Sequence, residues 1–513
     1  MPSYLPINLP PGFRNHGVDG DSIGRWRDGN LVRWETGVLR PIGGWTPLLR
    51  EDGPNTVPVT VPLGQVPRAM HIWQNNKGEA YIAVGTNESL FVLSEDTNRE
   101  FIDRTPTGFV PEGGVSGLGY GNGVYGQARP YGQDGIAPDV QIFSVWSLDN
   151  FGEQLICCTS NDKQIYVWDL LTSDAEQLVP ITPPDGDPAL NIVPTCEYLI
   201  VTAERFVFAL AADGNPRLIR WCDRENYNDW EPRPTNEAGD IELQTSGSIQ
   251  GAIKVRGRTL ILTSTDAHVA IYQGPPTVYG FQRVGVGCGL VSPLGVAAAA
   301  FGAFWMGSNG FYVYDGNTVQ EIACEVQDKV FEDINRTQFR KIFAVANERA
   351  KEVWWFYPSA GSPECDRYVA FDYKEGHWLI GELSRSAGGD LGVFGDPIWM
   401  DQEGNVYRHE IGDMHGGVDP WIESGPIRLN EGQRTMQATK FIQDERVQGQ
   451  VSVEFDTRYW PNDVVYNKGP YALSNATDVR FSARQIRMRL TGKDNTDWRI
   501  GDMRLEVTPR GRR

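Results

Sequence analysis

The residues of this 513-residue chain that could do chemistry are six histidines, seven cysteines, an excess of acids and several glycine-rich turns. Gly121–Gly126 reads GNGVYG, the GxGxxG spacing that lets a backbone approach a pyrophosphate. A dinucleotide site also needs a strand before it, a helix after it and an acid about 20 residues on. Here more glycine precedes and QARPYGQ follows, so the motif reads as loop, as does GVGCG at Gly285–Gly289. Ser116, in GGVSG, is out of frame for a nucleophile elbow. DGDSIG (Asp19–Gly24) opens like a calcium loop, but Ile23 occupies a ligand position and no Glu stands at the twelfth. SLDNFGEQ (Ser147–Gln154) is the nearest approach to the Ser-x-Asp-x-Gly-x-x-Trp box of sialidase blades and fails at both later positions.

His16, His71, His268, His377, His409 and His415 are dispersed, and the six-residue step from His409 to His415 is not that of a helical metal pair. Both of those are expected at the surface or in turns. The cysteines are single except for Cys157-Cys158 and form no CxxC, which excludes a zinc ribbon and points to a reducing compartment at synthesis. The expectation is a protein without catalytic, cofactor-binding or metal-binding residues, and not an enzyme.

Net charge is −19, from 66 acids and 47 bases, and it is unevenly spread. Residues 421–513 hold 16 Lys/Arg and 12 Asp/Glu, or +4, so residues 1–420 carry −23. An acidic body is repelled by phosphate backbones unless its positive charge is segregated. The basic excess here is interleaved with acids, as on a solvated sheet face. No apolar run approaches 18 residues, and MPSYLPINLPPGF has neither a basic head nor an apolar core, so no membrane anchor or signal peptide is expected.

Whatever the chain does must be positioned by strands. Gly and Pro number 57 and 33 and alternate with short Val/Tyr/Phe/Trp runs, the signature of an all-β protein. One helix is expected in EVQDKVFEDI, where Val326, Val330 and Ile334 share a face. GEAYIAVGTNESLFVL (Gly78–Leu93) and GEQLICCTSNDKQIYVW (Gly152–Trp168) share a plan of turn, apolar strand, polar turn and strand. The plan returns at Tyr198–Leu210, Thr259–Tyr272, Ala303–Tyr314, Val353–Phe371 and Pro397–Glu410. With Phe91, Tyr166, Val207, Ala270, Tyr312, Val369 and Val406 taken as equivalent, the steps are 75, 41, 63, 42, 57 and 37 residues. A unit of about 40 residues with insertions is the period of a propeller blade, and a β-propeller of six or seven blades is expected over residues 46–420.

The longest step holds a Gly/Tyr-rich insertion, about 105–135, with Tyr120, Tyr125 and Tyr131, read as a long loop that orders against a partner. After residue 420 the pattern becomes strict alternation, with Val451, Val453 and Phe455, then Ile486, Met488 and Leu490, then Met503, Leu505 and Val507 inward. Residues 421–513 are therefore expected to form a small β-sandwich. Residues 1–45 read as an extended N-terminal arm and first strand; Pro2, Pro6, Pro10 and Pro11 deny the arm a ladder, and Leu5, Ile7 and Leu9 need burial from another subunit.

Two passages carry a resemblance. FRNHGVDGDSIGRWRDGNLVRWETGVLRPIGGW (Phe13–Trp45) resembles the start of tail proteins of tailed bacteriophages, and RWCDRENYNDWEP, with the following GSIQGAIKVRGRTLILTSTDAHVAIYQG, resembles the tail nozzle of short-tailed phages, the tail tubular protein B and packaged-DNA stabilisation type. RQIRMRLTGKDNTDWRIGDMRLEVTPRGRR also looks like a phage tail protein ending; the Gly/Tyr insertion and the C-terminal domain depart from the pattern. The resemblance implies a virion protein made in the host cytoplasm, a homo-hexameric ring with a tail adaptor above and tail fibres or needle at the tip, and genomic DNA retained, then passed without sequence-specific binding. Subunit contacts would fall to Arg25, Trp26, Arg33 and Trp34 and to Arg484, Arg487 and Arg489. Two other readings stay open, a carbohydrate-binding or carbohydrate-cleaving propeller of a host-attachment structure and a tail tip or hub protein of a long-tailed phage.

Overall fold

The computed structural model describes residues 3–62, 64–95, 98–107, 109, 145–172, 174–429, 434–446 and 450–510. Among these described residues, seven four-stranded antiparallel sheets succeed one another. Blade one is Pro67–Gln74, Ala80–Thr86, Leu90–Ser94 and Phe101–Asp103, and blade two is Trp146–Phe151, Gln154–Thr159, Ile165–Trp168 and Glu176–Gln177. Blades three to six begin with Tyr198–Val201, Ile249–Val255, Val296–Ala298 and Phe343–Asn347, and blade seven with Ala387–Gly389. Each first strand neighbours the next around an axis, and Ala387–Gly389 lies against Pro67–Gln74, so the ring closes at seven blades.

Middle strands such as AYIAVGT and EVWWFY are buried at every residue because a neighbouring blade covers each face. Trp146 shows how tightly. Its indole lies on Gly85 of blade one, where a Cβ would come within 2.3 Å of the ring, and its Nε1 donates to Thr86 O at 2.8 Å. Blade seven takes its outermost strand from the far end of the chain: Trp45–Pro47 pairs with Val406–His409, Trp45 opposite His409. That clasp removes the free ends a sequential ring would leave.

Six of the seven positions taken as equivalent lie in third strands, but Val207 lies in the second strand of blade three (Val207–Leu210). The third strand there is Leu218–Trp221, half-exposed at alternate residues, so its apolar signal is weaker than that of Tyr198–Val201 before it. The helix is Gln327–Asp333, one turn shorter than the apolar spacing suggested, with Val330 and Phe331 buried. Of the Gly/Tyr insertion, Tyr120, Tyr125 and Tyr131 lie outside the described residues; its flank Phe109 packs on Trp146, ring centroids 5.1 Å apart.

The second body is a sandwich of two six-stranded sheets. One orders Val32–Glu35, Val38–Pro41, Ile500–Pro509, Met436–Glu445 and Thr477–Ala483, with Ser3–Pro6 also on Ile500–Pro509. The other orders Trp26–Asn30, Trp421–Ser424, Gln485–Gly492, Val451–Arg458 and Tyr466–Ala472, with Ile427–Arg428 also on Gln485–Gly492. Phe455 of the second sheet meets Phe441 and Phe481 of the first, and all the inward-expected residues of the three alternating runs are buried. The N-terminal arm is extended, but in this structure it packs on its own chain. Tyr4 lies opposite Glu506, Ile7 N donates to Met503 O at 2.9 Å, and Ile7 and Phe13 are buried. The strands Ser3–Pro6, Trp26–Asn30, Val32–Glu35 and Val38–Pro41 thus belong to the same two sheets as the C-terminal strands.

Candidate functional site

The inner strands place three ionisable side chains in the propeller's axial channel. Lys254 of blade four donates to both oxygens of Asp149 of blade two at 2.8 and 2.9 Å, and Val201 N of blade three donates to Asp149 Oδ2 at 2.9 Å. His71 Nε2 lies 3.1 Å from Asn150 Oδ1. Burial pulls His71 below the usual imidazole range although Asp149 is near, so it is neutral at pH 7. The space beside these groups is about 280 Å³, with Met70, Ala252 and Leu294 in its wall.

At the end where the inner strands begin, Arg68 donates to both oxygens of Glu364 at 2.6 and 3.1 Å, and Lys341 Nζ donates to the same carboxylate. Burial would raise Glu364, but the Arg68 and Lys341 bonds outweigh it and hold the carboxyl below its ordinary value. Arg340 Nη2, just ahead of blade six, donates to Tyr198 OH of blade three at 3.2 Å. Blades three and six stand on opposite sides of a seven-blade ring, so this bond spans the axis. The propeller's own channel is crossed by side chains, which leaves no room on its axis for a nucleic-acid duplex.

The seam between propeller and sandwich is ionic within an apolar surround. Arg33 donates to the two oxygens of Glu410 at 2.8 and 2.7 Å and to Glu352 Oε2 at 3.0 Å. Asn347 Nδ2 and Trp354 Nε1 complete the two carboxylates at 2.9 and 2.8 Å. Burial pushes Glu352 up to about 7, which Arg33 offsets only in part, whereas two bonds from Arg33 keep Glu410 below its ordinary value despite burial. Alongside, Leu31 N donates to Tyr368 OH at 3.0 Å and Phe13 N to Trp378 O at 3.0 Å.

Several residues singled out in the sequence prove to have partners inside the chain. Trp26 and Trp34 are buried, Arg33 is in the seam, and Arg25 pairs with Glu325. Arg484 lies over the Trp460 ring at 4.3 Å and Arg489 over Trp421 at 3.8 Å. Arg487 joins Arg27 and Arg458 on Asp19, the first acid of the supposed calcium loop. Burial raises Asp19, but hydrogen bonds from Arg458 and Arg27 and the Arg487 charge bring it down to about 2. Each of these side chains thus has a contact within its own chain, and Arg25, Arg487 and Arg489 stay half-buried.

His409 and His415 are buried, against the expectation of surface or turn positions. Trp45 meets both, at centroid distances of 5.4 and 5.5 Å; His415 Nδ1 is 3.0 Å from Asp494 Oδ1, and Arg385 Nε donates to His409 Nε2 at 3.1 Å. His16 lies 3.1 Å from Asp328, and His268 3.3 Å from Asp266. One group was missed because its histidine was weighed alone: the hairpin DYKEGH brings Asp372, Glu375 and His377 together, their nearest ligating atoms all within 4.8 Å. Its Asp-x-x-Glu-x-His spacing across a tight turn was the available signal. All seven cysteines are free and buried.

The chain matches no protein-family model and no curated protein. Among solved structures it is similar to the β-propeller domain of Cps50 (Swd1) from Myceliophthora thermophila, at TM-score 0.40 and 9% identity over 69% of this chain and 98% of that one. It is also similar to YCF48 bound to D1 peptide, at TM-score 0.37 and 10% identity over 72% of this chain and 98% of that one. A luciferin-regenerating enzyme follows at TM-score 0.31 and 8% identity, over 71% and 95% of the two chains. The chain is an all-β protein built on a seven-bladed β-propeller, and its termini together form a second, sandwich body.

Proposed function

We propose that this chain is a structural component of a phage tail nozzle, with DNA passing between copies arranged in a ring. The observation that carries the reading is the sequence resemblance over residues 13–45, 220–232 and 247–274, segments that here contribute to the sandwich seam and to blades three and four. The side chains crossing the propeller axis support one part of it, because a conduit would then have to lie between subunits rather than within one. The −23 charge of residues 1–420 suits a wall along which phosphates slide without being held.

Native mass measurement and electron microscopy of the purified protein test this. A closed sixfold ring with an acidic lumen and weak duplex binding at physiological salt is the expected result. A threefold assembly would favour a tail tip or hub. A monomer at all concentrations that binds glycans would favour the host-attachment reading; a groove of about 880 Å³ edged by Thr245, Ser264, Thr265, Ser308 and Arg283 is where such a ligand would be sought.

A further inference from the structure

We propose that Asp372, Glu375 and His377, on the hairpin joining the last two strands of blade six, form a binding site for one divalent first-row transition ion of the Zn²⁺ type. Asp372 and His377 are directly opposed across the hairpin. Asp372 Oδ1 accepts from Lys374 N and Glu375 N at 2.8 Å each, which fixes the carboxylate and leaves Oδ2 facing His377 Nε2 at 3.9 Å.

His377 Nε2 points to a ligand. The residue is 94% buried, counted from its 6% exposure, and this nitrogen has no hydrogen-bond partner. A buried polar atom without a partner costs about 1–3 kcal/mol. Its ring cannot easily turn away, because Trp34 meets it edge-on at a centroid distance of 5.4 Å and Gly12 packs against its Cβ. A separation of 3.9 Å is too long for a hydrogen bond. It suits two ligands sharing an ion at about 2.0–2.2 Å from each. Glu375, exposed, needs only a small swing to become the third ligand; one of its oxygens already accepts from Thr36 N at 2.9 Å.

The donor set selects the ion. One imidazole and two carboxylates neutralise a divalent charge and favour Zn²⁺ or Mn²⁺ over Ca²⁺, which takes six to eight oxygens. Three protein ligands leave a position for water. With Glu375 tied to Thr36, the ion would fasten the hairpin of Val32–Glu35 and Val38–Pro41 to blade six, strengthening the joint between sandwich and propeller. His16, with Asp21 and Asp328 nearby, is the competing cluster, but it is partly exposed and already has a close partner at 3.1 Å.

The metal-free full chain, titrated with ZnCl₂ in a calorimeter and with CoCl₂ in the visible spectrum, tests the assignment independently of ring assembly. One equivalent should bind, Co²⁺ should show the intense bands of a four-coordinate site, and the melting temperature should rise. His377→Gln should weaken Zn²⁺ binding at least tenfold, Glu375→Gln should weaken it less, and His16→Gln should leave it unchanged. No binding of either ion by the folded chain, or unchanged binding in H377Q, would overturn the proposal.

Discussion

Arg33 and Glu410 form a two-pronged ion pair, at 2.8 and 2.7 Å, between the N-terminal hairpin of the sandwich and the residue that follows the third strand of blade seven. Glu352 of blade six shares the same guanidinium, so one buried cation stands between two carboxylates. Removing the cation leaves buried negative charge unpaired, which is far costlier than the net worth of the pair. Arg33→Met should destabilise the chain by about 3–5 kcal/mol. Glu410→Gln combined with R33M should recover part of the loss in chemical denaturation. An R33M chain as stable as wild type would show that the two carboxylates do not depend on Arg33 for their burial.

Asp19 supplies the pH dependence. Its carboxyl ionises at about 2 in the folded chain against an ordinary 3.8, so the stability it contributes is complete above about pH 4 and is lost as pH falls from 4 toward 2. Asp19→Asn lacks that contribution throughout. The stability gap between wild type and D19N should therefore be constant from pH 5 to 7 and should close in the acid limb. A gap that widens toward low pH would contradict the three-arginine arrangement.

Burial raises the thiols of Cys288 to about 11 and of Cys222 and Cys324 to about 12. Thiolate is the nucleophile, so a buried thiol with a raised value is inert. Iodoacetamide should label none of the seven cysteines in the native chain and all seven after denaturation, read by intact mass. Rapid native labelling at Cys157 or Cys158 would show that blade two opens.

The fold was legible wherever its signal was local. Runs such as YIAV-turn-LFVL state their own strands and turn, so the blades and their number range could be read. Blade three was indexed one strand early because LIRW carries an arginine and is half-exposed, while YLIV ahead of it is uniformly buried. What could not be read is pairing over hundreds of residues. Nothing near Trp45 announces His409, and nothing near Ser3–Pro6 announces Ile500–Pro509, because an edge strand's partner leaves no local periodicity. The same holds for His409 and His415, whose burial is supplied by Trp45, Arg385 and Asp494 from distant segments. Trp26 and Trp34 looked available for another subunit because apolar content says that a residue is buried, not by which chain.

Phe13 tests the folded-back arm. Its ring is fully buried, touches the Gly29 backbone and meets Trp34 edge-on at 5.2 Å. Phe13→Ala should cost about 3–5 kcal/mol, the usual range for a buried phenylalanine. Deleting residues 1–17 removes the same contacts and should lower the melting temperature of the single chain as well as any assembly. If the deletion leaves monomer stability unchanged, the arm's place is on a neighbour.

Trp26 and Trp34 are buried within the chain, so the proposed ring would draw its apolar contact from another place. The hairpin between Val451–Arg458 and Tyr466–Ala472 displays Trp460, Val464, Val465 and Tyr466, exposed by 60, 64, 46 and 56%. Its exposed side chains are apolar, so in the proposed ring an apolar surface of a second copy is the complement. A contact between two different faces of one chain repeats head to tail and closes only if the rotation allows, which is the geometry of a ring. Val464→Ser with Tyr466→Ser should leave the monomer's melting temperature nearly unchanged, since neither side chain is buried. If the proposed ring forms through this hairpin, the same pair should shift the native mass distribution from ring to monomer. Intact rings from the double variant would place the subunit contact elsewhere on the chain.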